Sequence, residues 1–186
     1  MQQYSDIPFE IFTIDNLYSQ DEINTYLNYV KNSDIKNRTF TYSDFKNGKM
    51  ILPEISNNMF SKIKHYLPDK YIDRNNNNWT YIKPSKYVMY ANFIPGQQFN
   101  IHTDTGESYD EINNLYSKYT VLTYLNDDYI DGSTQFYDNN FNKTVCIKPK
   151  TNRTLIFDIN LYHAGNCVIS GNKYWIGTEL VCLKTI

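Results

Sequence analysis

Residues 81–104 read YIKPSKYVMYANFIPGQQFNIHTD. Aromatic and β-branched residues crowd the first part, as they do in strands. Pro95-Gly96 breaks the run as a turn, and Gln98-Phe99-Asn100-Ile101 resumes it as a second strand. Similar short runs follow toward the C-terminus: YTVLTYL (119–125), STQFYD (133–138), TVCIKP (144–149), RTLIFDI (153–159) and YWIGTELVCLK (174–184). Turn residues separate them at Asn126-Asp127-Asp128, Asp131-Gly132, Asn139-Asn140 and Gly171-Asn172. Many short strands at this spacing predict a β-sandwich or jelly roll.

The N-terminal part reads differently. PFEIFTID (8–15) is an opening strand. Ser19 then caps a helix, with Glu22 as the reciprocal partner of a capping box. Ile23, Tyr26, Leu27 and Val30 follow at helical spacing, so one face is buried. A second helix is expected from Glu54 to Leu67, with Ile55, Met59, Ile63, Tyr66 and Leu67 on its inner side and Pro68 as its stop. Segments 33–50, 70–79 and 105–117 read as long loops, and Asn75 to Asn78 is low in complexity. The expectation is a mainly β chain of α+β type, with N-terminal helices packed on one sheet. It forms one domain over 1–186, divided into a helical support region (1–79) and a jelly-roll core (80–186), with no internal repeat.

Composition excludes several classes. The 186 residues are enough to bury a sizeable core, and an apolar share of 41% separates the chain from disordered sequences. The formal net charge is -2 and no basic stripe is present, so no nucleic-acid footprint is evident. No run approaches 18 apolar residues, so no membrane helix is expected, and MQQYSDIPFEIF lacks the features of a secretory signal. Cys146, Cys167 and Cys182 are odd in number and widely spaced. They read as small buried apolar residues in a reducing, cytoplasmic setting rather than as a zinc or disulfide framework.

The chemistry starts at the end of the opening stretch. His102 and Asp104 are two residues apart on extended backbone, so both point to one face and can grip one metal ion. His65 falls on the second helix as a solvated or partly buried residue, which leaves His163 as the only good candidate for the third ligand. Two imidazoles and one carboxylate on one side of a metal leave open positions opposite, the ligand set of a non-haem Fe(II) centre. Lys173 opens an apolar strand and must snorkel or meet an anion, which a metal-chelating dicarboxylate would supply. Thr120, Leu122 and Tyr124 share a strand face, and an inward Tyr124 hydroxyl needs a buried partner. Thr134 alone reads as a strand threonine. The turn at Asp127, Asp128 and Asp131 lacks calcium-loop spacing and reads as solvated.

Four segments, in order, resemble the prolyl 4-hydroxylase branch of the Fe(II)/2-oxoglutarate-dependent oxygenases: IDNLYSQDEINTYL (14–27), NFIPGQQFNIHTD (92–104), TVLTYLNDDYIDGSTQFYD (120–138) and LYHAGNCVISGNK (161–173). The resemblance implies a double-stranded β-helix, a cupin-like jelly roll of two facing sheets. It implies that His102, Asp104 and His163 hold catalytic iron and that Lys173 pairs with the distal carboxylate of 2-oxoglutarate. Tyr124 and Thr134 match positions that assist the cosubstrate. The implied protein is an oxidoreductase, a dioxygenase using Fe(II), 2-oxoglutarate and O2, with ascorbate as a reductant. Its implied substrate is a peptidyl residue, proline first, in a peptide or protein that is proline-rich. The alternatives are another amino-acid side chain, a free amino acid or small molecule, and a catalytically silent jelly-roll binding module, against which the intact triad argues. Lysyl hydroxylases usually carry Arg where Lys173 stands, alkylation-repair enzymes want paired arginines after the distal His, and halogenases lack the carboxylate that Asp104 supplies. The chain also departs from the pattern: Phe93 and Phe99 stand where tyrosines are usual, Glu179 where Trp is frequent, and Asp131 replaces a glycine.

Overall fold

Period-2 strands need partners for their backbone polar groups, and here nearly all of those partners lie in one folded sheet. The computed structural model describes residues 1–33, 36–40, 43–106, 109–110 and 112–185. β1 (Ile11–Asp15) and α1 (Gln20–Asn32) open the chain, followed by β2 (Ser43–Ile51), α2 (Pro53–Ile63), β3 (Asn78–Pro84) and β4 (Tyr87–Phe93). Then come β5 (Phe99–His102), β6 (Leu115–Tyr124), β7 (Thr134–Tyr137), β8 (Lys143–Ile147), β9 (Arg153–Asp158), β10 (Tyr162–Gly165) and β11 (Lys173–Thr185).

Hydrogen-bonded neighbours run in the order β1-β9-β6-β11-β4-β2-β5-β10-β7-β8, with β3 on the far half of β11. Every pairing in this path is antiparallel. The path doubles back, so β7 and β8 pack on β1, β6 and β9 through Phe136, Ile147, Tyr124, Ile11, Leu155 and Phe157. This is the jelly roll expected from the strand pattern, and its two walls face each other across a cavity.

The opposite face of the large wall carries the helices. Ser19 accepts from the Glu22 amide and the Glu22 carboxylate accepts from the Ser19 amide, closing the capping box. Ile23, Tyr26 and Val30 of α1 pack with Val88, Tyr90 and Ile176. Ile63 of α2 joins Phe12, Val121, Ile156 and Leu180 in a second cluster. Burying side chains of this size contributes roughly 1.5–3 kcal/mol each. Along β6 the two faces divide by period two. Val121 goes to the helix side, while Leu122 and Tyr124 go to the cavity side. In β11, Gly177 permits close strand contact, because a Cβ there would lie 2.3 Å from the Val121 carbonyl oxygen.

Several boundaries differ from expectation. The second helix is shorter: α2 ends at Ile63 and a 3-10 turn covers Lys64–Tyr66. Leu67 is already extended (ψ 139), as the residue before Pro68 should be. Tyr66 is exposed rather than inward, and Ser56 is buried in the helix interior instead. The segment 33–50 is not a loop among its described residues. Lys36–Phe40 pairs with β2, and β2 pairs along its length with β4. Its sequence, SDFKNGKMI, lacks clean alternation, so the neighbouring strand rather than the side-chain pattern makes it a strand. The support region thus contributes strands as well as helices. Likewise β6 begins at Leu115, inside the segment 105–117, and pairs with Tyr109–Asp110. Within 70–79, Asp73 builds the turn by accepting the amides of Asn75 and Asn77 and the Trp79 indole. All three cysteines are free, but only Cys182 is buried; Cys146 is exposed.

Candidate active site

β5 and β10 lie side by side with His102 directly opposite His163, so one ladder rung brings both rings together at 4.2 Å between centroids. Asp104 follows β5, and its amide donates to the Ile159 carbonyl at 3.0 Å. The donor atoms of His102, Asp104 and His163 all lie within 4.8 Å of one another. Oδ1 of Asp104 is 3.5 Å from Nε2 of His102 and 3.8 Å from Nε2 of His163.

Each imidazole is oriented from behind. Nδ1 of His102 donates to the Asn100 carbonyl at 2.7 Å, and Nδ1 of His163 donates to the Leu161 carbonyl at 2.9 Å. A carbonyl only accepts, so the Nδ1 atoms carry the protons and the Nε2 lone pairs face inward. Burial pushes the His163 pKa down, with His102 adding to the shift and Asp104 opposing it, which favours the neutral imidazole. Burial opposes the charge on Asp104, but His163, His102 and the Thr120 hydroxyl outweigh it and hold the carboxyl below its usual range.

Lys173 stands on the other wall of the same cavity, a space of about 200 Å³. It opens β11 opposite Phe93 and is 3% exposed. Its ammonium donates to the Gly132 carbonyl at 2.6 Å and lies 5.3 Å from the ring centroids of Phe93 and Tyr124. Among the described residues no carboxylate is within salt-bridge distance of it. Burial lowers its pKa to about 7, against a raising effect from Asp131. A buried amine without an acid partner, facing three convergent N and O donors, fits a metal-bound dicarboxylate.

Tyr124 is fully buried, and its hydroxyl pairs with Oγ1 of Thr134 at 2.7 Å. Thr134 lines the cavity and Tyr124 stands behind it. The partner that the sequence reading left to a cosubstrate carboxylate is thus a threonine of the chain itself. His65 lies in the 3-10 turn, outside the cluster. The Asp127 carboxylate accepts from the amide and hydroxyl of Thr151, so it serves a turn. Sequence reading missed Phe45, Phe157 and Trp175, which also line the cavity. It noted the face on which Thr120 sits but not its bond to Asp104. Phe45 fell in a stretch without strand alternation and gave no signal.

The family model of the 2OG-Fe(II) oxygenase superfamily matches residues 86–178, half of the chain. The chain belongs to this superfamily. It is a dioxygenase whose cofactor is Fe(II) and whose cosubstrates are 2-oxoglutarate and O2. Among solved structures, this oxygenase is similar to the viral collagen prolyl hydroxylase of Paramecium Bursaria Chlorella virus-1 in its 2-oxoglutarate complex, with a TM-score of 0.61 and 18% identity over 94% of this chain and 96% of that one. The prolyl-4-hydroxylase of Pseudomonas putida gives a TM-score of 0.65 and 8% identity over 93% and 92%. The prolyl hydroxylase of Trichoplax adhaerens, solved with a hypoxia inducible factor peptide fragment, gives 0.67 and 18% over 93% and 84%. At these identities the likeness shows the fold, the jelly roll described above. No curated protein matches the sequence. No helix among the described residues is long and apolar enough to cross a membrane.

Proposed function

We propose that this oxygenase hydroxylates a peptidyl residue, proline first, and that His102, Asp104 and His163 are its iron ligands. One arrangement carries the reading: the donor atoms within 4.8 Å of one another and the buried Lys173 amine open onto the same cavity. Lys173 anchors the distal carboxylate of 2-oxoglutarate. Thr134 presents its oxygen beside it, braced by Tyr124. Fe(II) bound there supplies the oxidising chemistry, in which 2-oxoglutarate, O2 and a C–H substrate become succinate, CO2 and the hydroxylated product. The chain holds the imidazoles in one tautomer, keeps the carboxylate ionised and excludes water with aromatic walls.

Those walls favour an uncharged substrate. Phe45 stacks on Phe93 at 4.4 Å and meets Phe99 at 4.7 Å, and Phe99 stacks on His102 at 3.7 Å. Trp175 adds a further apolar surface. A lysyl ammonium entering this space would lose its hydration, whereas a prolyl ring suits it. The viral and Trichoplax enzymes are named prolyl hydroxylases, and the latter was solved with a peptide. The substrate class we assign is therefore a peptide or protein, proline-rich, with the whole of 1–186 acting as one domain. Ascorbate serves as the reductant that recovers oxidised iron. A cytoplasmic location is in keeping with three free cysteines.

The test is a peptide array that includes proline-rich and collagen-like sequences, read by mass for added oxygen, with succinate measured in parallel. Proline-containing peptides should gain oxygen, and His163→Ala should lower succinate formation by more than about a hundredfold, roughly 2.7 kcal/mol of barrier. Turnover retained in His163→Ala would remove the ligand assignment. Oxygen added only to peptides without proline would remove the substrate assignment.

A further inference from the structure

The two oxygens of the Asp104 carboxylate have different surroundings. Oδ1 faces both Nε2 atoms across the ligand cluster. Oδ2 accepts a short hydrogen bond, 2.5 Å, from the hydroxyl of Thr120. Thr120 belongs to β6, on the wall opposite β5, and is 6% exposed. Its backbone is held from both sides, opposite Phe157 of β9 and Glu179 of β11. A β-branched side chain on a central strand has little rotamer freedom, so the hydroxyl's aim is fixed.

The geometry points to Thr120 as a positioning residue of the metal centre, one that engages Oδ2 and so restricts Asp104 to metal binding through Oδ1 alone. This inference rests on the ligand assignment proposed above. A carboxylate can bind a cation through one oxygen or both. Bringing Oδ2 onto the metal beside Oδ1 requires the carboxylate to tilt as a unit, which draws Oδ2 away from the Thr120 hydroxyl and breaks that hydrogen bond. A hydrogen bond to a charged acceptor biases such a choice by on the order of ten- to hundredfold. The consequence is functional, because a second carboxylate oxygen would occupy a position that a chelating cosubstrate needs. Packing alone gives no reason for a hydroxyl here, since valine has nearly the same shape and suits a strand interior. The two imidazoles are oriented by backbone carbonyls, at Asn100 and Leu161, which no substitution removes. Of these three supports, the one under Asp104 is a side chain, so it can be tested directly.

The experiment uses the full chain loaded with Mn(II) without oxygen, in wild type, Thr120→Val, Thr120→Ser and the control Asp104→Ala. Thr120→Ala replaces the valine variant if the latter fails to fold, as judged by circular dichroism. Three quantities are read: Mn(II) affinity, the relaxation of solvent protons by bound Mn(II), which reports metal-bound water, and the affinity of the loaded protein for 2-oxoglutarate. Thr120→Val should keep Mn(II), show less metal-bound water and bind 2-oxoglutarate at least about tenfold more weakly. Thr120→Ser should restore both values. Wild-type relaxation and wild-type 2-oxoglutarate affinity in Thr120→Val would overturn the positioning role. So would a variant that loses Mn(II) affinity while its loaded form binds 2-oxoglutarate normally. Asp104→Ala binding Mn(II) as tightly as wild type would instead overturn the ligand assignment, which keeps the two failures apart.

Discussion

Lys173 joins the interior of the fold to the pH of the solution. With burial lowering its pKa to about 7, the amine is only partly protonated near neutrality. The groups around it are the Asp131 carboxylate, the Tyr124 phenol, the Phe93 ring and, across the cavity, Asp104 and His163. Burial raises the Tyr124 pKa, so that phenol stays neutral. A bound carboxylate favours the charged amine and moves its pKa back toward the ordinary lysine value. Binding of 2-oxoglutarate above pH 7 should therefore take up a proton, and affinity should fall by up to about tenfold per pH unit. Calorimetry of the Mn(II)-loaded protein at pH 8, in buffers of different ionisation enthalpy, measures this uptake. Lys173→Arg, always charged, should remove it, and a wild type without proton uptake would refute the account. The stability sign follows from the same shift. Between pH 7 and about pH 10 the unfolded lysine binds a proton that the folded one has released, so the free protein gains stability as pH rises through that window.

At the scale of elements, the link between β9 and β10 holds two of the three proposed ligands. The Leu161 carbonyl orients His163, and the Ile159 carbonyl receives the Asp104 amide. The link itself is fixed by Asp158, whose carboxylate accepts the Asn160 amide and pairs with Lys118 at 2.6 Å. Lys118 also meets Asp73 at 3.3 Å and lies 4.8 Å from the Trp79 ring. All three charged residues are buried. Removing one partner of a buried ion pair leaves uncompensated charge and costs about 3–5 kcal/mol. Lys118→Met should lose stability of that order in urea unfolding and weaken Mn(II) binding as the link loosens. A loss under about 1 kcal/mol would mean that the pair contributes no more than a surface ion pair does. Elements also differ in how far their sequence announces them. α1 is announced by its capping box and 3.6 period, whereas β2 lacks clean alternation and exists because β4 offers it a ladder.

Across the whole molecule, the sheet doubles back so that residues from β5, β10, β6 and β11 meet in one space. Ligands that bridge the two walls bind the folded form and not the unfolded one. Mn(II) with 2-oxoglutarate, each at about ten times its dissociation constant, should stabilise the protein by about 2.8 kcal/mol. For a domain of this size that is a rise in Tm of roughly 5–11 °C. A thermal scan with and without a chelator measures it. His163→Ala should abolish the rise; an equal rise in that variant would show that the ligands bind elsewhere.

The sequence by itself determined the strand series after residue 80 and the cap of α1, and it singled out His102, Asp104, His163 and Lys173 as candidates. Each of these is written in short-range spacing, in a cap signature or in the scarcity of histidine. The tertiary structure alone decided that Thr120 meets Asp104, that Tyr124 pairs with Thr134 and that Lys118 reaches both Asp73 and Asp158. It also decided that Phe45 and Trp175 wall the cavity, that β2 enters the sheet and that Cys146 faces solvent. The physical reason is that these contacts join different strands or loops. Which strand lies opposite which is settled by closure of the sheet on itself, and no local period records it.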